Sequence, residues 1–339
     1  MSSIKDIAKL AQVSPGTASL VLNGKGTALR ISTATQQRIL EAARALDYSP
    51  NISARRLRSG GETVAPIIAL FWTIDTRASL IGRYLKGVQD IIYAQETEYE
   101  LLIQPYVGGR LKDVKSLVTG TRFNGAIIAN ATAADEAYLQ SAPVKVPAVL
   151  YQRYSDKFGT INVDNYHTGQ EVARLFASRG HSLTGLVIPK VSSRAIHDRK
   201  KGFLDQASAV GLPVAAAHIA EGEFSEEGGY QATRVLLQAE VKPSALFVLS
   251  DQMAVGALAA LREAGLRVPE DIELVGHDDN EIARFTVPPL TTIHFPVEEM
   301  AQACIKLLID VMHHQVATPT STMFKPHFVF RQSCGDFKK

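Results

Sequence analysis

From Pro66 onward the chain alternates short apolar runs with amphipathic stretches, and this pattern restricts the fold more than any other feature. PIIALF is followed by SLIGRYLKGVQDIIYAQ, then by YELLIQ, LKDVKSLVTG and GAIIA. The series resumes with NVDNYHTGQEVARLFASRG, TGLVI, KKGFLDQASAVG, HIAEG, SEEGGYQATRVLLQ, SALFVLS, DQMAVGALAALREAG and IELVG. Strands alternating with helices imply parallel sheets wrapped by helices, an α/β fold. Five or more such units over about 225 residues predict two similar lobes rather than one sheet. Ligands of such open sheets bind beyond the carboxyl ends of the strands, so the cleft between the lobes is the expected binding place.

The first 48 residues follow another rhythm. In IKDIAKLAQ, residues Ile4, Ile7, Ala8, Leu10 and Ala11 recur at helical spacing. Ser14 can cap a second helix, with Pro15 in its first turn where a missing N–H costs nothing. Val13, Ala18, Val21 and Leu22 would face the same small core before Asn23-Gly24-Lys25-Gly26 breaks the helix. Ser32 or Thr33 opens a third helix, with Ile39, Leu40, Ala43 and Leu46 inward. Two short helices joined by a tight turn and backed by a third form a helix-turn-helix layout. Residues 49–61, SPNISARRLRSGG, are too polar for a core helix and read as a conditional helix with a linker, or as a linker alone.

Charge divides the chain in the same place. Residues 1–60 hold nine Lys/Arg against three acids, a local +6. The whole chain carries +2, which leaves 2 − 6 = −4 for the remainder. A basic head on a mildly acidic body fits phosphate binding by the head. With 46% apolar residues the chain can bury real cores. Its start, MSSIKDIAKL, places charges at helical spacing and lacks the pattern of a signal peptide. No apolar run approaches the ~18 residues of a membrane helix, so no membrane partner is expected. Cys304 and Cys334 have no metal-ligand spacing, which suits a reduced cytoplasm, and no metal or resident cofactor is expected. Catalytic signatures are absent from the sequence. There is no nucleophile-elbow or HExxH motif, and Gly108-Gly109 and Gly228-Gly229 lack the Lys-Ser/Thr of a phosphate loop. An enzyme is therefore not expected.

The stretch SIKDIAKLAQVSPGTASLVLNGKG…ISTATQQRILEAARALDYSPNISARRLRSG resembles the DNA-binding head of the LacI/GalR repressor family. The body is similar too, at VDNYHTGQEVARLFASRGH, at RKKGF, through VLSDQMAVGALAALREAGLRVPEDIELVGHDDNEIARFTVPPLTTIHFP, and at FVFRQSC. The resemblance implies a head over 1–48, a hinge helix and linker over 49–61, and a periplasmic-binding-protein-like effector-binding and dimerisation core over 62–333. It also implies lobes of about 62–162 plus 294–318 and about 163–293 plus 319–333. A homodimer would bind a near-palindromic DNA operator as a regulator, expected to be a repressor, and a small-molecule effector would control it. The tail after Arg331 has no heptads, so no coiled-coil tetramer is expected. A periplasmic sugar-binding protein would share the body, but the head opposes that reading.

Particular residues carry these expectations. Ser14, Pro15, Gly16, Thr17, Ser19 and Leu20 lie at the start of the second helix, whose N-terminal residues in such motifs meet base edges. Leu20 stands where the family frequently has Arg, and it offers only apolar contact, for instance to a thymine methyl. Ser3, Asn23 and Tyr48 match family positions that contact phosphate, although Tyr48 could equally pack on the third helix. Leu57, among Arg55, Arg56 and Arg58, matches the family's wedge into the central minor-groove step. For the effector, Arg199 in RKKGF offers a guanidinium fork to paired hydroxyls or a phosphate. Asp278 can accept two hydroxyl hydrogen bonds, Asn165 can supply amide contacts, and Phe224 falls where relatives stack an aromatic on the ligand. An ion pair between Arg199 and Asp278, and core packing of Phe224, are the alternatives. Ser250 stands where relatives often carry Asn, and Trp72 with TIDTRASL replaces a Pro- and Asn-containing loop. A sugar, a sugar phosphate or a nucleobase stays compatible.

Overall fold

The computed structural model describes residues 4–22, 26–46, 65–73, 78–94, 98–120 and 122–335. The expected hinge, and with it Ser3, Asn23, Tyr48, Arg55 and Leu57, lies outside the described residues.

Helices α1 (Ile4–Leu10), α2 (Pro15–Leu22) and α3 (Thr33–Ala45) form the head. Ser14 Oγ accepts the Thr17 amide at 3.0 Å and starts α2, while Ser32 Oγ does the same for Thr35 at 3.3 Å. Ile7, Ala8, Ala11, Ala18, Val21, Ile39, Ala42 and Ala43 fill the core. Leu10 and Leu40, expected inward, are exposed at 55% and 38%. At about 100° per residue each falls beyond the edge of the stripe formed by its neighbours.

Among the described residues, the body consists of two six-stranded sheets. The first has order β11-β5-β4-β3-β1-β2, from strands β1 (Ile67–Thr73), β2 (Glu100–Tyr106), β3 (Gly125–Ala129), β4 (Ala148–Tyr151), β5 (Gly159–Val163) and β11 (Thr320–Phe324). The second has order β12-β10-β9-β8-β6-β7, from β6 (Thr184–Pro189), β7 (Ile219–Gly222), β8 (Ala245–Val248), β9 (Glu273–Asp278), β10 (Thr291–His294) and β12 (His327–Val329). Every pairing is parallel except β10 with β12. Helices α4 (Ala78–Ala94), α5 (Ser116–Thr119), α6 (Ala133–Ser141) and α11 (Val297–Met312) flank the first sheet. Helices α7 (Asn165–Ser178), α8 (Arg194–Ala209), α9 (Glu226–Leu236) and α10 (Asp251–Glu263) flank the second. Each sheet is buried on both faces, as parallel sheets require.

The chain crosses between lobes three times, after Val163, after His294 and after Phe324. This corrects the expected lobe boundaries at the last crossing. Residues 320–324 were expected in the second lobe but pair in parallel with Gly159–Val163 at the edge of the first sheet. Their half-exposed, polar sequence TSTMF has no apolar run to announce the strand, because an edge strand needs only backbone partners. Trp72, expected in a ligand-facing loop, is instead in β1 and packs on Tyr84 and Tyr151 at ring distances of 5.3 and 6.3 Å.

Candidate effector site and DNA-reading helix

Helix α2 presents Ser14, Pro15, Gly16 and Leu20 to solvent, with Thr17 and Ser19 half-buried above the core residues Ala18 and Val21. Ser14 and Thr17 share a 2.8 Å hydroxyl contact, so part of their hydrogen-bonding capacity shapes the helix start. Exposed Lys5, Lys9, Arg30 and Arg38 surround the head. The arrangement suits a helix with a neutral, small-residue tip carried on a cationic body.

In the second lobe, two helices approach at contact distance. A Cβ on Gly169 of α7 would strike the Arg199 carbonyl, and one on Gly202 of α8 would strike the Tyr166 carbonyl. This close approach sets Arg199 against Asn165, the first residue of α7, whose helix is capped by Asp164. Arg199 Nη2 donates to Asn165 Oδ1 at 2.7 Å, and Nη1 donates to the Leu249 carbonyl at 3.2 Å. Burial holds the guanidinium down to about 10, against the attraction of Asp278. Asp278 ends β9, at the carboxyl end of a parallel strand, where open sheets of this class bind their ligands. Its backbone adopts φ of 117°, a costly conformation for a residue with a Cβ.

The neighbours of Asp278 complete the cluster. His277 Nδ1 lies 2.8 Å from Asp278 Oδ1, and burial together with the Arg199 charge pushes the imidazole down to about 4, so it is neutral at pH 7. Asp251 accepts Thr292 Oγ1 at 2.6 Å and the Asn280 amide at 2.8 Å. Burial, then the Asp278 charge, raises its carboxyl well above the usual range. Ser250, at the N-cap of α10, makes no cap hydrogen bond. Three buried polar atoms, Arg199 Nε, Ser250 Oγ and His277 Nε2, have no hydrogen-bond partner among the described residues. An orphaned buried group costs about 1–3 kcal/mol, so a cluster of three marks a place that a polar molecule would stabilise.

Asn165, Arg199, Ser250 and Asp278 are thus brought together, whereas Phe224 is buried beyond the end of the edge strand β7. A cleft of about 880 Å³ opens between the lobes, and none of Asn165, Arg199, Phe224, Ser250 and Asp278 is among its lining residues. Its walls include Thr132, Glu136, Arg153 and Tyr154 of the first lobe and Lys190, Arg194, Asp198 and Lys200 of the second. Arg199 sits behind this wall, between the lining residues Asp198 and Lys200. Arg153 pairs with Glu136 at 3.0 Å, and Arg194 reaches the same carboxylate across the cleft at 3.6 Å. Arg194 also lies over the Tyr154 ring, 5.7 Å from its centroid. Sequence reasoning missed Asp251, His277, Glu136, Arg153 and Arg194. The adjacency of Asp251 to Ser250 and of His277 to Asp278 was the only signal available for any of them.

Comparison with known proteins agrees with both halves. Residues 3–51 match the model for bacterial regulatory proteins of the lacI family, and residues 173–334 match a periplasmic binding protein-like domain. An uncharacterized HTH-type transcriptional regulator of Streptomyces limosus is 35% identical over 98% of this chain and 95% of its own. The probable HTH-type transcriptional repressor ExuR of Bacillus subtilis is 29% identical over 98% of both. A LacI family transcription regulator from Clostridium acetobutylicum shares the fold at a TM-score of 0.75 and 33% identity, over 78% of this chain and 99% of its own. A LacI family regulator from Enterococcus faecium with bound ribose gives 0.66 and 25%, over 80% and 100%. These relatives are transcriptional regulators and repressors rather than enzymes. The head, the doubly wound two-lobed body and these matches place the chain in the lacI family of DNA-binding bacterial transcriptional regulators.

Proposed function

We propose that this protein is a cytoplasmic repressor that binds a near-palindromic operator as a homodimer and is controlled by a sugar or sugar phosphate held between its lobes. The observation that carries the effector assignment is the buried cluster of Arg199, Asn165, Ser250 and Asp278 with its orphaned polar atoms. A carboxylate acceptor beside guanidinium donors matches the vicinal hydroxyls of a sugar, and Lys190, Arg194 and Lys200, interspersed with Glu136, Asp198 and Glu221 in the cleft wall, offer charge partners to a phosphate on the same molecule. The ribose held by the Enterococcus relative supports the class. Dimerisation is supported by apolar side chains left on the surface. Phe285 and Val287 are 70% and 89% exposed beside Ile282 in the second lobe, and Tyr93 and Val107 are 79% and 65% exposed in the first. Ser14, Pro15, Gly16, Thr17, Ser19 and Leu20 would meet the operator in the major groove, with Ser3, Asn23 and Tyr48 on phosphates and Arg55 and Leu57 in the minor groove.

Effector binding would shift lobe closure, and with it the separation of the two hinge segments, coupling the sites by ~1–3 kcal/mol. Selecting fragmented genomic DNA with the purified protein tests the operator half of this reading: a recovered near-palindrome supports it. Uniform retention that vanishes with modest salt would leave only phosphate attraction. Metabolites handled by the products of the neighbouring genes then supply the ligands to titrate, and Asp278→Ala should abolish their effect while leaving operator affinity within about twofold. A fully responsive variant would reject the site.

A further inference from the structure

Arg83 makes more contacts than a surface arginine needs. It projects from the first turns of α4 and its side chain is only 18% exposed. Nε donates to Glu298 Oε1 at 2.9 Å and Nη2 to Glu298 Oε2 at 2.8 Å, a two-pronged grip on the first turn of α11. Nη2 also donates to the Phe295 carbonyl at 3.0 Å, within the second interlobe crossing. Nη1 donates to the Asp278 carbonyl at 2.7 Å, in the other lobe. One guanidinium therefore joins a helix of lobe one, the crossing segment at Phe295 and the main chain of the acid assigned to the effector.

Two further features make this a stiff connection. One turn along α4 from Arg83, Gly87 packs so closely on α11 that a Cβ there would overlap the Glu298 main chain at 2.9 Å or less. Helices α4 and α11 thus form a fixed corner. At the other end, Asp278 and Asp279 both have positive φ, 117° and 51°. Such consecutive strain persists only where surrounding contacts over-determine it. The contacts are Arg83 on the Asp278 carbonyl, His277 on its carboxylate, and Arg331 and His294 on Asp279 at 2.6 and 3.0 Å.

We infer that Arg83 is a positioning residue that ties the conformation of Asp278 to the placement of α4, so that whatever engages Asp278 is felt in the lobe that carries the DNA-binding head. This rests on the assignment of Asp278 to the effector. An ion pair confined to lobe one would need Glu298 alone; the bonds to Asp278 and Phe295 are what cross between lobes.

The test uses amide hydrogen exchange of the full-length protein without ligand. Arg83→Met should speed exchange across 277–281 by about tenfold, the factor that ~1.4 kcal/mol of lost local stability produces. Glu298→Gln, which keeps the main-chain bonds, should leave that segment within about threefold of wild type. Asp278→Ala retains the carbonyl that Arg83 grips and should change exchange along 78–94, but not when combined with Arg83→Met. Arg83→Lys, which keeps charge and one donor, should fall between wild type and Arg83→Met and serves if the methionine variant does not fold. Unchanged exchange over 277–281 in Arg83→Met, or an equal effect of Asp278→Ala in both backgrounds, would overturn the inference. Failure of the effector assignment looks different: Asp278→Ala would stay ligand-responsive while the exchange linkage survived.

Discussion

Glu273, the first residue of β9, anchors the base of the second lobe, and replacing it by Gln has a calculable consequence. Arg179 Nε donates to its Oε2 at 2.6 Å, His181 Nε2 lies 2.9 Å from the same oxygen, and the Cys334 thiol donates at 3.2 Å. Burial alone would push the carboxyl up, but hydrogen bonds from His181, Arg179 and Cys334 outweigh it and hold the group down to about 2, against an ordinary 4.5. The side chain is only 11% exposed, so solvent screens these contacts little. A depressed carboxyl stabilises the fold above its ordinary value, and that stabilisation fades as pH falls from about 4.5 through about 2. The shift amounts to at most roughly 3 kcal/mol. Glu273→Gln should therefore lower the melting temperature at pH 7 by roughly 6–12 °C. Thermal melts followed by circular dichroism between pH 7 and pH 2 should show the two proteins converging at the acid end. Parallel curves, with the same loss of stability on acidification in both, would show that the network does not anchor this carboxylate.

Other perturbations act at the head and at the helix pair. Ser14→Ala removes the side-chain acceptor for the Thr17 amide and should cost the head about 1 kcal/mol, seen as faster amide exchange over 15–22 with the body unchanged. Gly202→Ala forces a methyl onto the Tyr166 carbonyl and should destabilise the second lobe by about 2–4 kcal/mol in a urea melt, with loss of ligand response because Arg199 moves away from Asn165. Leu57→Ala should weaken operator binding at fixed salt by tenfold or more while sparing non-specific binding, about 1.4 kcal/mol or more of wedge contribution. Equal losses in both titrations would remove the wedge from the mechanism.

The α/β alternation and the head were legible because each rests on local periodicity, and Ser14 and Pro15 state a helix start in two adjacent residues. Two lobes followed from strand number, but the edge strand Thr320–Phe324 did not, since its pairing with Gly159–Val163 leaves no mark in its own side chains. Arg199 and Asp278 were legible by resemblance, and the structure sets them in one buried cluster. What no sequence pattern could supply was distance. Arg83 and Asp278 are separated by 195 positions, and nothing in IGRYLKG distinguishes that arginine from a solvated one until the fold brings Glu298 to meet it. Gly169 and Gly202 read equally as helix-weakening residues until α7 and α8 are seen to touch through them.

The three crossings between lobes also order events in time. Residues 4–46 contain everything the head needs for its core, so it can fold as soon as they leave the ribosome. Lobe one, by contrast, lacks a packing helix and an edge strand until residues 297–324 are made. At roughly 5–20 residues per second, that interval lasts on the order of tens of seconds. Throughout it, the nascent chain carries a finished DNA-reading module on an unfinished control module. A chain cut short before α11 would stay in that state permanently, able to touch DNA but with no lobe to respond to a metabolite.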